Sequence, residues 1–269
     1  MPEDHLLVDL SNQVLRLTIN RPEKRNALKM DLLDELGTIL SSNAEDPDLK
    51  CAVITASGDR CFAAGGDLQE LNAVRSREDA EVMSKRGRAA LDAVRSFPLP
   101  VVAGLNGLAL GGGAELAMAC DLRVAAPNAE IGFLQGQLNV TTAWGGGIDL
   151  VATVGPQIAL DLLITARRLS AREALELGMI NRLCEPEQGL TECLNDFLQP
   201  YLQRSSQVLR GYKSLASSQK RSAHERLATI EQENFVTTWT HPDHWTAVEQ
   251  DISGRKKNQE YTVSDTNNS

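Results

Sequence analysis

Three consecutive glycines, Gly111, Gly112 and Gly113, constrain this chain more than any other feature. They lie in Gly104-Leu-Asn-Gly-Leu-Ala-Leu-Gly-Gly-Gly-Ala-Glu115, followed by Leu-Ala-Met-Ala-Cys-Asp121. The apolar run at 101–103 predicts a strand leading in. Residues 114–120, small, apolar and free of proline, predict a buried helix leading out. Glycine admits positive φ and close approach of another atom, because no Cβ intervenes. The helix start leaves its first N–H groups unpaired at the positive end of the dipole. Such a turn can serve tight strand–helix packing, with Glu115 complementing the dipole, or form a site for fixed or developing negative charge.

A second glycine pair, Ala63-Ala-Gly-Gly-Asp67, follows a strand predicted at 52–55 and precedes a helix predicted at 68–74. Two strand–glycine–helix units can aim one backbone N–H each at a single oxygen. Cys61-Phe-Ala-Ala-Gly-Gly-Asp-Leu-Gln-Glu70 and Asn106-Gly-Leu-Ala-Leu-Gly-Gly-Gly-Ala-Glu-Leu116 resemble the two signature segments of the crotonase superfamily, the enoyl-CoA hydratase/isomerase enzymes. Asn20-Arg-Pro-Glu-Lys-Arg-Asn-Ala-Leu28 matches the family's N-terminal motif, and the resemblance runs from about residue 6 to about residue 257.

Composition narrows the alternatives. A net charge of −9 disfavours a broad nucleic-acid surface or an anionic-membrane patch. The apolar stretches are too short and glycine-rich for a membrane span, and Met1-Pro-Glu-Asp-His5 does not read as a signal peptide, so a cytoplasmic protein is expected. Five cysteines without a CxxC pair read as buried free thiols. No His/Cys cluster offers a metal site, and His241 and His244 are assigned to the surface or an interface.

In chain order, strands are expected at 6–10 and 13–19 around a Ser11-Asn12 hairpin turn, and helices from residue 30 and over 76–96. Short strands follow at 122–125 and 131–133, then a helix at 148–154, with Pro156 opening the next. Ser170-Ala-Arg-Glu173 has the form of a capping box, and Gly178 ends its helix. Beyond residue 188 the pattern is helical, and the polar stretch 258–269 reads as disordered. The strand–strand–helix recurrence indicates layered α/β architecture. The resemblance implies a crotonase-like spiral of ββα turns over 1–190 and a C-terminal helical oligomerisation region over 191–257, assembling as a homotrimer or hexamer.

By resemblance the substrate is an acyl-CoA, with no cofactor beyond the coenzyme A that the substrate carries. The N–H groups of Gly66 and Gly112 become the oxyanion hole for a thioester enolate. Losing one such donor costs on the order of 3–4 kcal/mol. Lys24 and Arg25 are either phosphate partners or solvated surface charges, while Ala27, Ala64, Asp67, Leu68 and Gln69 fall in segments that line the coenzyme. Glu115 matches the first of the two catalytic glutamates of enoyl-CoA hydratases. The second is replaced by Gln135, with Gln137 two residues on, and neither glutamine can act as a general base.

This departure points away from ordinary hydration. A malonyl-type thioester carries its own carboxylate, and facing it with a second one at ~4 Å costs roughly 4 kcal/mol at an effective dielectric of about 20. Gln135 removes that repulsion and can position the substrate. Loss of CO2 then gives the enolate directly, and Glu115 supplies a proton if burial raises its pKa. Trp144 and Trp239 sit in segments resembling those of ethylmalonyl-CoA decarboxylase; Trp144 is either an acyl-pocket wall or core packing. Thr141 and Thr142 either bond a substrate carboxylate or are loop residues. The leading expectation is decarboxylation of a methylmalonyl- or ethylmalonyl-CoA type substrate. The alternatives are a hydratase-like lyase using Glu115 with a water on Gln135, in which Gln135 is otherwise a plain wall residue, and a non-catalytic acyl-CoA-binding or assembly protein.

Overall fold

The computed structural model describes residues 4–251, apart from the side chain of Leu68, so the polar stretch at 258–269 lies outside the described residues. Strands β1 (Leu6–Ser11) and β2 (Val14–Ile19) form the expected hairpin, but the turn is Asn12-Gln13, both at positive φ, one residue later than the sequence suggested. Helix α1 (Met30–Ser42) buries Leu32, Leu33, Leu36 and Leu40, the spacing of one apolar helical face. Then follow β3 (Cys51–Ala56), β4 (Cys61–Ala63), α2 (Leu68–Leu71), α3 (Arg77–Ser96), β5 (Val101–Leu105), β6 (Leu108–Leu110) and α4 (Gly112–Ala119). The second half runs through β7 (Leu122–Ala125), β8 (Glu130–Gly132), α5 (Gly146–Val154), α6 (Pro156–Thr165), β9 (Leu169–Ser170), α7 (Ala171–Glu176), β10 (Arg182–Leu183), α8 (Leu190–Leu202) and α9 (Ser206–Trp239).

The strands divide between two sheets in a regular way. One sheet has the order β1-β2-β3-β5-β7-β10, parallel from β2 onward; the other has the order β4-β6-β8-β9. Consecutive strands β3–β4, β5–β6 and β7–β8 each contribute one member to each sheet, which produces the ββα spiral implied by the resemblance. The expectation that the strand at 52–55 leads directly into the glycine pair is corrected here. A three-residue strand, β4, intervenes, and β6 likewise separates β5 from the glycine triplet. Strands that short carry too few residues for a period-2 signal. The helix expected at 68–74 also stops sooner, at Leu71.

Local signals elsewhere hold. Ser76 caps α3 by accepting from the Asp79 N–H, and Ser170 with Glu173 completes the capping box of α7. Pro156 opens α6, and Gly178 takes a positive φ beyond α7. All five cysteines are buried and free. Helix α8 covers a valine-rich cluster of Val14, Val53, Val102 and Val124, whereas Leu209, Phe235, Val236 and Trp239 of α9 join the main core. Residues 242–251 are helical. Among the described residues, no helix is long and apolar enough to cross a membrane.

Candidate active site

The two glycine segments meet because the strands that carry them are neighbours. β4 and β6 pair in parallel, Cys61 opposite Leu108 and Ala63 opposite Ala109, so both chains leave the sheet at the same end. Gly111 turns with φ +53°, a conformation that disfavours any side chain, and starts α4. A Cβ on Gly113 would collide with the Ala63 carbonyl, so this crossing admits only glycine. Gly66 is fixed by flanking bonds: Leu28 N–H donates to the Gly65 carbonyl at 2.9 Å and Asp67 N–H to the Leu28 carbonyl at 2.8 Å. Among the described residues, neither the Gly66 nor the Gly112 N–H has an acceptor, and both glycines are partly exposed. Two unpaired donors on adjacent strand ends, one of them opening a helix, suit an oxygen that gains negative charge.

Glu115 lies in the first turn of α4 and is only 2% exposed. Its Oε2 accepts from the N–H groups of Trp144 at 2.8 Å and Gly146 at 3.0 Å, at the start of α5. Its Oε1 accepts from Ala143 N–H at 3.4 Å and from Gln135 Nε2 at 3.0 Å. Burial raises the Glu115 pKa to about 7, helped by the nearby Glu231 carboxylate and opposed by the three backbone donors. Raising the pKa favours the protonated form, which a general acid needs. Gln135 thus faces Glu115. One of its amide hydrogens is engaged by Glu115, and its Oε1 is buried without a partner. Gln137 instead donates to the Ala166 carbonyl at 2.8 Å.

Trp144 is buried, its indole lying against Gly87 of α3 and Gly112 of α4, so a Cβ at either glycine would strike the ring. The same ring is therefore both core packing and the wall beside the Gly112 donor. On the opposite side, the loop after β2 lies along the β4 exit, with Ala64 N–H donating to the Arg25 carbonyl at 3.1 Å. This pairing brings the 24–27 segment alongside Ala64, while Leu68 opens α2 and Gln69 N–H donates to Asp67 Oδ1 at 3.0 Å. Lys24, Arg25 and Gln69 are exposed. Asp67 is not free for a ligand: it is buried and bonded to Arg21 at 2.8 Å, and this partner holds its pKa below the usual range despite burial. Buried Asn26 and Asn106 both donate to the Cys61 carbonyl, at 2.6 and 3.3 Å, and so fix the approach to β4.

The chain matches the model of the enoyl-CoA hydratase/isomerase family over residues 9–253. It belongs to that family. Among relatives, a crotonyl-CoA hydratase of Syntrophomonas wolfei is 33% identical over 261 residues, covering 96% of this chain and 98% of the relative. An ethylmalonyl-CoA decarboxylase of Xenopus laevis is 33% identical over 236 residues, covering 86% and 79%. The structure of an enoyl-CoA hydratase from Bacillus anthracis superposes with a TM-score of 0.76 at 30% identity, covering 85% of this chain and 90% of that one. The crotonase fold and the family expected from the three motifs are both borne out.

Two assignments change, those of Thr142 and His244. Thr142 is buried and its hydroxyl donates to Glu231 Oε1 at 2.7 Å, so it is not free to meet a substrate carboxylate, while exposed Thr141 donates its backbone N–H to Thr238 Oγ1 at 3.2 Å and fits the loop-residue reading. His244 is not a surface residue. It is 1% exposed, bonded to the Leu138 carbonyl and stacked with Trp239 and Trp245 at centroid distances of 4.6 and 4.7 Å; burial lowers its pKa. His241 is exposed as expected. Sequence reading missed Glu231 and Arg88, a buried ion pair between α9 and α3 beside the α5 start. Each is one charge in a charge-rich helix, and nothing local distinguishes it from its solvated neighbours.

Proposed function

We propose that this protein decarboxylates a malonyl-type CoA thioester, binding the thioester oxygen at the Gly66 and Gly112 amides. The carrying observation is the Gln135–Glu115 hydrogen bond: Glu115 faces a neutral amide at the place where hydration uses a second carboxylate. The bond from C2 to the substrate carboxylate breaks, CO2 leaves, and the electron pair passes into the enolate held by the two amides. Glu115, buried and with a pKa of about 7, then delivers its proton to C2 and is reprotonated from solvent. To meet it, the acyl end inserts between Gln135 and Trp144. Exposed Lys24 and Arg25 supply charge for the coenzyme phosphates. Exposed Val208, Tyr212 and Leu215, on one face of α9, support assembly of copies into a trimer or hexamer.

A second reading is a hydratase-like lyase, favoured by the crotonyl-CoA hydratase that aligns over nearly the whole chain. Parallel incubation with methylmalonyl-CoA and crotonyl-CoA separates the two. CO2 release with negligible hydration supports decarboxylation; hydration of crotonyl-CoA without CO2 release overturns it. A protein that is stabilised by CoA ligands yet turns over neither substrate is a binder.

A further inference from the structure

The start of α5 holds two buried carboxylates side by side. Trp144 and Gly146 N–H donate to Glu115 at 2.8 and 3.0 Å, and the next amide, Gly147 N–H, donates to Glu231 Oε1 at 3.2 Å. A helix N-terminus favours one negative charge; here consecutive N–H groups are divided between two acids from different parts of the chain. The Thr142 hydroxyl donates to the same Glu231 Oε1 at 2.7 Å, and Arg88 Nη2 bonds the other oxygen, Oε2. Glu231 thus stands with one oxygen toward Arg88 and the other toward the α5 start that also carries Glu115.

We propose that Glu231 is a positioning residue for the reaction: its fixed negative charge, held in place by Arg88, Thr142 and Gly147, keeps Glu115 in the protonated form that donates. The proposal rests on the preceding reading only in taking Glu115 as the acid. The other charged groups on the packed elements do not replace Glu231. Arg95 of α3 and Asp149 of α5 pair with one another at 3.0 Å, His224 and Lys220 of α9 face Asp149 at 3.0 and 3.9 Å, Arg88 is engaged by Glu231 itself, and Gln135 is neutral. Two like charges on one desolvated helix start compete for the same donors. Glu231 has a guanidinium partner and Glu115 has none, so their repulsion favours the neutral form of Glu115. The direction of the Glu115 shift, to which the Glu231 charge contributes after burial, agrees with this division.

The test reads the carboxyl titration of Glu115 directly, by infrared difference spectroscopy or by carbon NMR of labelled glutamate. The signal is assigned by its loss in Glu115→Gln, and no substrate is needed. In Glu231→Gln the Glu115 midpoint moves to lower pH by about one unit, the scale of effect of a close like charge. Glu231→Asp, which keeps the charge, leaves it near the wild-type value. Because Glu231→Gln strands Arg88, the double variant Arg88→Met with Glu231→Gln repeats the measurement without a lone buried cation and gives the same downward direction. Coincident midpoints in wild type, Glu231→Gln and the double variant overturn the proposal, as does a shift in Glu231→Asp equal to that in Glu231→Gln. A shift of the expected sign in a protein that decarboxylates nothing leaves the Glu231 assignment standing and removes the functional reading instead.

Discussion

Glu115, on α4 against the start of α5, and Asp149, within the first turn of α5, are both buried carboxylates, and their chemistry runs in opposite directions. Asp149 accepts from Arg95 at 3.0 Å and from His224 at 3.0 Å, with Lys220 at 3.9 Å. Burial alone would push its pKa up, but these partners, Arg95 first, hold it well below the usual carboxylate range. Glu115 has backbone amides and a glutamine instead of a cation, and a second carboxylate close by, so its pKa rises to about 7. Equal burial therefore yields a permanently charged structural group in one case and a proton donor in the other; the partner decides. Arg95, Lys220 and His224 also line a cleft of about 350 Å³ between α3, α4 and α9, which includes neither Glu115 nor the two glycine donors.

That contrast can be broken or sharpened by substitution. The largest effect is expected for Glu115→Gln, which should lower turnover by on the order of 10²–10⁴-fold, the range for loss of a general acid, while denaturant unfolding shows stability unchanged or raised. Asp149→Asn should do the reverse. It leaves Arg95 buried beside lost countercharge and should cost roughly 3–5 kcal/mol of folding stability, measured by urea titration. Next in size is Gly112→Ala, whose Cβ would meet the Trp144 ring; overpacking of that kind costs about 1–3 kcal/mol and should also lower turnover by displacing the donor.

The contrast also shows in the pH dependence of stability, where the two acids should show opposite slopes. Glu115 has a raised folded pKa, so its contribution is fully present below the unfolded value of 4.5 and is lost as pH rises through about 7. Asp149 has a lowered folded pKa, so its contribution is present above the unfolded value of 3.8 and is lost as pH falls through the folded one. Unfolding measured across pH 4.5–7 should lose its Glu115-dependent fall in Glu115→Gln and keep it in a variant of any exposed acid.

Much of this site is legible in the sequence because glycine and proline report backbone requirements directly. The glycine triplet and Glu115 mark a helix start from their neighbours alone, although the short strands β4 and β6 that precede the two glycine segments leave no such mark. The convergence of the two glycine segments is implied by the family resemblance but not by local sequence pattern. It depends on β4 and β6, three residues each, pairing across 47 positions of chain, as Cys61 opposite Leu108. Glu231 and Arg88 were equally hidden, since their burial arises only when α9 folds back over α3 and the α5 start. Thr142 and His244 read as free polar groups for the same reason: the elements that bury them are distant in sequence.

The most direct test of the account is turnover of methylmalonyl-CoA in D2O, with CO2 counted and the acyl product analysed by mass spectrometry and NMR. One CO2 per product and one deuterium at C2, with both slowed together in Glu115→Gln, is the predicted result. No CO2 from this substrate, with deuterium and solvent oxygen instead added across the double bond of crotonyl-CoA, would contradict it.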